Sequence, residues 1–442
     1  MLSPFLFSLY VGELVNMFEE NQCEGVYINE STPNISCLLF ADDLVTCADT
    51  VGRLQHMIDV VVLFCKKWGL EVNLDKTKVM VFRNGGPLRE NEKWWFCGKP
   101  LKVVNGYKYL ETVFTPKLVW TQCQKTLASQ ARKGLYLLRK YNYACNTLPI
   151  DVQFELFDSM ISPILLYSAE IWGFDVADNI EKVHIGFCKY VLGVPSHTCT
   201  VAVLAETGRH PMYIHYYKRC IKYWLKLLNM PESRYPKACY TMLYSLDQQG
   251  RTTWASAIRQ LLCKYGYQEV WEAQRVENRT VFLREFSQKV LETFNLEWEE
   301  SVAQSSKLSL FRELKPDGIG RESYLFNVTI KKYRASIAKI RCSAHELRIE
   351  KGRHKGELMA DRVCKLCLKE QDQYILEDEF HLFTCPSYSE LRTKYLPELA
   401  AGQFTYEMFI ELLRNENENV QINSASYVYQ AFKRRLMLLQ EP

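Results

Sequence analysis

The chain has 442 residues, of which 48% are hydrophobic, so it can bury more than one core. Its formal net charge of +4 by itself indicates neither a nucleic-acid nor a membrane partner. Its sixteen cysteines, without a stretch typical of a secretory leader, argue against a disulfide framework and predict a reducing, intracellular location in the nucleus or the cytoplasm. No apolar run approaches the roughly 20 residues of a membrane span, so we expect no membrane partner.

The first predicted element is a helix at the start of the sequence. Ser3 can cap this helix, Pro4 suits its first turn, and the run from Phe5 to Phe18 contains no further proline. No strand or capping loop precedes the helix in the sequence. The chain therefore begins like the interior of a folded unit.

Two apolar, β-prone runs, 35–41 and 44–48, flank the acidic pair Asp42 and Asp43. This pattern predicts a β-hairpin with two carboxylates at its tip. Adjacent carboxylates repel each other unless a cation lies nearby, and Mg²⁺ prefers oxygen ligands of this kind. Paired Mg²⁺ ions catalyse phosphoryl transfer in many enzymes. The alternative is that Asp-Asp is only a polar turn.

Three further elements follow the acidic pair. An amphipathic helix is predicted from Leu54 to Trp68, and then a turn and a strand over 69–82 that carry Lys76. The stretch 103–114 predicts a second hairpin.

Four motifs follow one another in the sequence: "LSPFLFSLY", "LLFADDLV", "WGLEVNLDKTKVMVF" and "YKYL". In this order they resemble the second half of the palm of a reverse transcriptase, and they are most similar to the non-LTR (LINE-type) retrotransposon enzymes. The resemblance implies that Asp42 is a catalytic Mg²⁺ ligand, that Asp43 is a supporting carboxylate, and that Lys76 stabilises charge on the incoming nucleotide. For Lys76 the alternative is an ordinary surface lysine. Glu111 stands where the family usually has glycine.

In this family, a further metal-binding aspartate and the fingers precede the Leu-Ser-Pro helix. We therefore expect the chain to be a truncated or mis-started copy of a longer reading frame. Two-metal catalysis needs carboxylates on both sides of the ions, so we expect little or no polymerase activity from this chain alone.

A one-sided basic helix is predicted after the second hairpin, because the window 112–150 contains no acidic residue. Its cations recur at spacings of seven, and an apolar stripe lies opposite them. This arrangement fits a thumb that follows a nucleic-acid backbone, and the alternative is an ordinary amphipathic surface helix. The predicted nucleic-acid-binding residues of this helix are Lys125, Arg132, Lys133, Arg139 and Lys140.

Near the C-terminus, Cys364, Cys367, His381 and Cys385 have the spacing of a zinc knuckle. The second pair is separated by three residues, which predicts both on one helical face. Three thiolates and an imidazole would close a tetrahedral Zn²⁺ site, so the predicted role of the ion is structural. The alternative is a coincidence of four reduced residues.

A basic arm over 329–356 precedes the knuckle, and within it only Glu346 and Glu350 oppose nine cations. This excess predicts contact with RNA or DNA, and non-LTR retrotransposon proteins have a similar knuckle. The arm residues predicted to bind nucleic acid are Lys331, Lys332 and Arg334.

The predicted fold class is α+β: a partial reverse-transcriptase palm of antiparallel hairpins and helices, a helical thumb and connector, and a small zinc knuckle. The predicted segments are 1–115, 116–230, 231–328, 329–395 and 396–442. The predicted function is that of a fragment of an RNA-directed DNA polymerase whose partners are an RNA template and a DNA primer. The alternative is a non-enzymatic, zinc-dependent nucleic-acid-binding protein.

Overall fold

A computed structural model describes residues 2–28, 34–144, 148–400 and 404–440. Most of these residues are helical. The strands are β1 Cys37–Phe40, β2 Asp43–Thr46, β3 Lys78–Val79, β4 Trp95–Phe96, β5 Lys99–Pro100, β6 Lys102–Val103, β7 Tyr107–Tyr109 and β8 Thr112–Phe114.

The helices up to the middle of the chain are α1 Leu2–Glu20, α2 Val51–Trp68, α3 Thr121–Ala144, α4 Ile150–Leu156, α5 Ser162–Leu165, α6 Ala169–Trp172, α7 Asp178–Leu192, α8 Thr200–Thr207, α9 Met212–Leu228, α10 Tyr235–Gln248 and α11 Trp254–Lys264. The later helices are α12 Gln268–Ala273, α13 Arg279–Gln304, α14 Ser309–Leu314, α15 Tyr324–Asn327, α16 Lys331–Arg341, α17 Arg348–His354, α18 Lys365–Gln371, α19 Glu379–Thr384, α20 Ser389–Tyr395, α21 Pro397–Ala400, α22 Tyr406–Arg414 and α23 Glu418–Gln440. In the described part of the chain, no helix combines the length and the apolar character needed to cross a bilayer.

The strands form four pairs in the described residues, which agrees with the predicted α+β class. The pairs β1–β2, β4–β5 and β7–β8 are antiparallel hairpins. The pair β3–β6 is parallel, a feature that the expected set of antiparallel hairpins did not include. Of the turn and the strand predicted over 69–82, the turn lies around Asn73 and the strand is limited to Lys78–Val79.

The chain divides into two compact units. The first comprises residues 1–126, 168–175 and 217–283, and the second comprises 127–167, 176–216 and 284–442. In the first unit, α1 and α2 share a core in which Leu14, Phe18, Met57 and Phe64 are buried. Leu44 of β2 packs against this core and so fixes the hairpin that carries the acidic pair.

Helix α2 begins three residues before the predicted start at Leu54. Thr50 has extended backbone angles, and its side chain accepts a hydrogen bond from the Arg53 amide, which is the geometry of an N-cap. The helix ends at Gly69, whose φ of +64° is a left-handed conformation that glycine adopts without steric cost. Local capping signals therefore set both ends of this helix.

In the second unit, a buried arginine joins several elements. Arg341 of α16 is 1% exposed, and its Nε lies 3.0 Å from both carboxylate oxygens of the fully buried Glu206 in α8. Its other nitrogens donate to Glu322 and to the Leu413 carbonyl oxygen of α22, each at 2.6 Å. Tyr324 donates to Glu206 at 2.6 Å. Burial of these charges is tolerated because each one has partners.

We predict that Arg341→Met lowers the free energy of unfolding by about 3–5 kcal/mol, because it leaves the Glu206 carboxylate buried without its cation. Urea denaturation followed by far-UV circular dichroism measures the change. The matched control is Arg312→Met, which removes an exposed arginine of α14 and should change stability by less than about 0.5 kcal/mol. Equal losses in the two variants would contradict the prediction.

Candidate functional site

The acidic pair lies at the tip of the β1–β2 hairpin, as predicted, with one correction. Asp42 occupies the turn, whereas Asp43 is the first residue of β2 and pairs with Phe40. Ala41 precedes them with a φ of +52°, which is unfavourable for a residue with a side chain. Both carboxylates are exposed, and no basic side chain of the described residues lies within ion-pair distance of either. The tip therefore offers two solvent-facing carboxylates that no cationic side chain of the described residues neutralises.

A second hairpin, β7–β8, contacts the turn that carries Lys76. Burial raises the pKa of Tyr109, and the negative charge of Asp43 raises it further. Tyr107 donates through its hydroxyl to the Lys76 carbonyl oxygen at 3.2 Å. Residues two apart in a strand share a face, so Tyr107 and Tyr109 lie on the same face of β7. The Lys76 side chain itself is exposed.

The turn of the β7–β8 hairpin explains why glycine suits position 111. Leu110 and Glu111 form a two-residue loop with φ values of +45° and +62°, as type I′ turns require. Glycine adopts this conformation freely, whereas Glu111 adopts it at a steric cost. The Glu111 carboxylate lies 3.0 Å from the Lys108 ammonium, and because both groups are half exposed this pair adds little stability.

We predict that Glu111→Gly stabilises the β7–β8 hairpin by about 1 kcal/mol, because it removes the cost of a left-handed glutamate. Amide hydrogen exchange over residues 107–114 measures the opening free energy. The control Glu111→Ala removes the same carboxylate but keeps a side chain at positive φ, so it should bring no gain. Equal protection in the glycine and alanine variants would show that backbone strain is not the cause.

The predicted basic helix exists as α3, and its two faces are as expected. Leu127, Ala131, Leu135 and Leu138 are buried, and the opposite side is exposed. The cations on the exposed side are Lys125, Arg132, Lys133, Arg139 and Lys140. Among the residues that the structure describes, no carboxylate forms an ion pair with any of them. Their role in binding nucleic acid stays a prediction.

The basic arm differs from its prediction. Lys331 and Lys332 are exposed at the start of α16, as a contact with nucleic acid requires. Arg334 is buried instead, and it donates to the carbonyl oxygens of Val328 and Thr329 at 2.9 and 3.3 Å. Its guanidinium thus satisfies the backbone before α16 and does not face solvent.

Carboxylates that are close in space neutralise much of the remaining arm. Arg341 pairs with Glu206, which is 135 residues away in the sequence. Arg348 pairs with Glu357 at 2.7 Å, and Arg353 lies 3.3 Å from Glu350. The local count of charges over 329–356 therefore overstated the free positive charge, since it included neither Glu357, just beyond the window, nor the distant Glu206.

Tyr190 of α7 brings together two segments predicted to bind nucleic acid. The centroid of its ring lies 4.5 Å from the Arg139 guanidinium of α3 and 4.7 Å from the Lys331 ammonium of α16. Its hydroxyl accepts a hydrogen bond from Asn142 at 2.8 Å. Sequence patterns did not indicate Tyr190, because its importance depends on two segments almost 200 residues apart.

Cys364, Cys367, His381 and Cys385 converge at one point, and all four are buried. Their ligand atoms lie within 4.8 Å of one another. The Cys367 sulfur is 3.4 Å from the His381 Nε2 and 3.6 Å from the Cys385 sulfur. Zn–S bonds of about 2.3 Å place the ligands of a tetrahedral ion about 3.8 Å apart, so the donor set and its dimensions fit Zn²⁺.

Local backbone contacts shape this knuckle. An antiparallel bridge joins Val363 to Leu376, and the Cys364 amide donates to the Ile375 carbonyl oxygen at 2.7 Å. Asp378 caps α19 by accepting the amide hydrogen bond of His381, whereas Cys385 lies just beyond the last helical residue. The expectation that one helical face carries both His381 and Cys385 therefore needs this correction.

The last helix supports the knuckle through buried polar contacts. Arg435 of α23 donates to both oxygens of Glu377 at 2.7 Å, and Tyr427 donates to the Leu382 carbonyl oxygen at 2.7 Å. A hydrogen bond with Cys385, together with burial, raises the pKa of the Cys364 thiol to about 12. The same hydrogen bond lowers the pKa of the Cys385 thiol, so it is Cys364 that resists ionisation unless a cation replaces its proton.

We predict that the purified chain carries one zinc ion and that Cys385→Ser loses it and melts at a lower temperature, because a structural site contributes folding energy. Elemental analysis and thermal melting measure both effects. The control Cys263→Ser alters an exposed cysteine that is not one of the four ligands and should retain the metal. Full zinc content in Cys385→Ser would contradict the assignment.

The region that contains the acidic hairpin and the β7–β8 hairpin matches a known protein family. The reverse transcriptase (RNA-dependent DNA polymerase) family model matches residues 1–124, which include the acidic hairpin and the β7–β8 hairpin. This match identifies the class of protein to which the N-terminal region is related.

Particular relatives come from mobile elements. The chain is 22% identical over 191 residues to the RNA-directed DNA polymerase from mobile element jockey of Drosophila funebris, covering 42% of this chain and 20% of that protein. It is 21% identical over 193 residues to the probable RNA-directed DNA polymerase from transposon BS of Drosophila melanogaster, covering 42% of this chain and 20% of that protein. A putative transposon-derived protein of Caenorhabditis elegans is 26% identical over 167 residues, covering 36% of this chain and 58% of that protein.

The family match and these relatives confirm the predicted resemblance to a LINE-type reverse transcriptase. The matched regions span about a fifth of the two Drosophila polymerases.

Proposed function

We propose that this chain supplies part of an RNA-directed DNA polymerase of the non-LTR retrotransposon type, with the β1–β2 hairpin as the aspartate-bearing element of the palm. The observation that carries the proposal is the exposed pair Asp42 and Asp43, which lies at the tip of the β1–β2 hairpin within the region matched to the reverse transcriptase family. The non-enzymatic alternative receives less support, because that match covers the motifs of polymerisation.

Asp42 and Asp43 would hold Mg²⁺ through their free carboxylate oxygens. When bound, such ions activate the attacking hydroxyl and stabilise the leaving phosphate. Within the chain, Asp43 starts β2 in a fixed register, so the core beneath the hairpin orients its carboxylate. Lys76 would contribute positive charge toward a bound nucleotide triphosphate from the neighbouring turn.

The described residues supply two carboxylates at this tip and no third ligand close to them. The one group of three or more metal-ligating side chains that the described residues bring together is the cysteine–histidine cluster. Two-metal catalysis uses carboxylates on both sides of the ions, so the proposal includes weak or undetectable polymerisation by this chain alone.

The remaining parts of the proposal concern nucleic-acid contact. Helix α3 would act as a thumb that follows the backbone of the RNA template and the DNA primer through Arg132, Lys133, Arg139 and Lys140. Lys331 and Lys332 would extend this contact from α16. The zinc knuckle would stabilise the region that carries α16, because all four ligand positions come from the protein.

The test uses the full chain with an annealed RNA template and DNA primer. We expect the chain to bind this duplex and to show no primer extension with Mg²⁺ and nucleotides above the level of the double variant Asp42→Asn/Asp43→Asn. We also expect the double variant Arg132→Gln/Lys133→Gln to bind with a weaker salt dependence. The slope of the logarithm of the binding constant against the logarithm of the salt concentration should fall in magnitude by about 0.9 for each phosphate contact that is lost.

Three outcomes separate the parts of this proposal. Primer extension that depends on Asp42 and Asp43 would show that the active site is complete and would overturn the expectation of inactivity. Extension that persists without both aspartates would overturn their catalytic assignment. Failure to bind the template–primer duplex at any salt concentration would overturn the polymerase function itself.

A further inference from the structure

The exposed face of α3 carries aromatic rings as well as cations. We define the basic–aromatic stripe as Arg132, Lys133, Tyr136, Arg139, Lys140 and Tyr143. Tyr136 is 70% exposed and Tyr143 is 89% exposed, although both are large rings that proteins usually cover at least in part. The basic side chains and the aromatic rings alternate along the helix, and no acidic residue lies between them.

Helical geometry places these side chains on one side. Arg132, Tyr136, Arg139 and Tyr143 follow one another at intervals of four, three and four residues, so they form a continuous row. The two tyrosines are seven residues apart, or about 10 Å along the axis. The buried residues Leu135 and Leu138 face the core. The row is therefore directed away from the core.

The stripe has a shape and an electrostatic character that favour an elongated anion. Arg132, Lys133 and Tyr136 line a shallow open depression together with Ser129 and Leu137. In the described part of the chain, no carboxylate pairs with the cations of the stripe. Unpaired cations around a groove attract phosphates, and exposed aromatic faces between them offer surfaces for planar groups.

The stripe does not end at α3. Arg139 lies over the Tyr190 ring, and Lys331 of α16 lies over the same ring, so positive charge continues from one helix to the other. Lys332 lies near the rings of Tyr333 and Tyr429, which are 5.3 Å apart. The same combination of cations and aromatic rings thus extends along α16.

We propose that the basic–aromatic stripe binds single-stranded nucleic acid, with bases stacked on Tyr136 and Tyr143 and phosphates held by the neighbouring cations. A duplex keeps the faces of its bases inside its own stack, whereas a single strand exposes them to aromatic side chains. The two tyrosines are about 10 Å apart along the helix axis, a separation that a single strand of a few nucleotides can span. This inference rests on the proposed function for the statement that α3 contacts nucleic acid. It adds that the nucleic acid bound there is single-stranded.

The experiment measures fluorescence anisotropy of the full chain with labelled oligonucleotides of about 15 residues, namely oligo(U), oligo(dT) and a blunt duplex. Each tyrosine-to-alanine change should weaken single-strand binding about fivefold to a hundredfold, because it removes one stacking surface. Tyr136→Ala/Tyr143→Ala should leave duplex binding and the salt dependence nearly unchanged, since the cations remain. Comparing oligo(U) with oligo(dT) decides whether the strand is RNA or DNA.

Two matched controls distinguish stacking from a general loss of structure. Tyr141 is 66% exposed on the opposite flank of the same helix, so Tyr141→Ala should not alter binding. Tyr136→Phe/Tyr143→Phe keeps both rings and should bind single strands nearly as the parent chain does. Thermal melting of every variant checks that the fold is retained.

Failures of the inference and of the proposed function look different in this experiment. If the tyrosine-to-alanine double variant binds single strands like the parent, or if Tyr141→Ala weakens binding equally, the inference is overturned while duplex binding still supports the polymerase. An equal loss for duplex and single strands also overturns the inference. If the parent chain binds none of the three oligonucleotides, the proposed function is overturned with it.

Discussion

The second unit depends on the neutralisation of one buried guanidinium. Arg341 lies among helices from three widely separated parts of the sequence, and its contacts with Glu206, Glu322 and the Leu413 carbonyl oxygen satisfy charges that would otherwise oppose packing. A buried ion pair of this kind contributes little net stability compared with apolar packing, but the loss of one partner is costly. The interaction therefore selects which helices can lie together around α16.

The charges of the acidic hairpin must also be stabilised, but here water does so in place of a buried partner. Asp42 and Asp43 are exposed, so water solvates them and no buried partner is needed. The hairpin itself is fixed by packing of Leu44 on the core between α1 and α2. A rigid support beneath solvated carboxylates is suited to binding a hydrated divalent cation, since such an ion retains several of its waters.

Local signals in the sequence were sufficient where a few neighbouring residues decide the structure. The acidic hairpin and the convergence of Cys364 with His381 depend on turns and ligand spacing. The basic arm could not be predicted in this way, because Arg334 and Arg341 find their partners only after distant segments pack. Tyr190 was missed for the same reason: its two cations belong to α3 and α16. The strain at Glu111 appears only once the backbone angles of its turn are known.

The discontinuity of the second unit has a consequence for its synthesis on the ribosome. Glu206 is made 135 residues before Arg341, a delay of roughly 7 to 27 seconds at ordinary rates of translation. During that interval, burial of α8 would place the Glu206 carboxylate in a medium of low dielectric constant without its cation. We therefore expect α8 to reach its final packing only after α16 has been made.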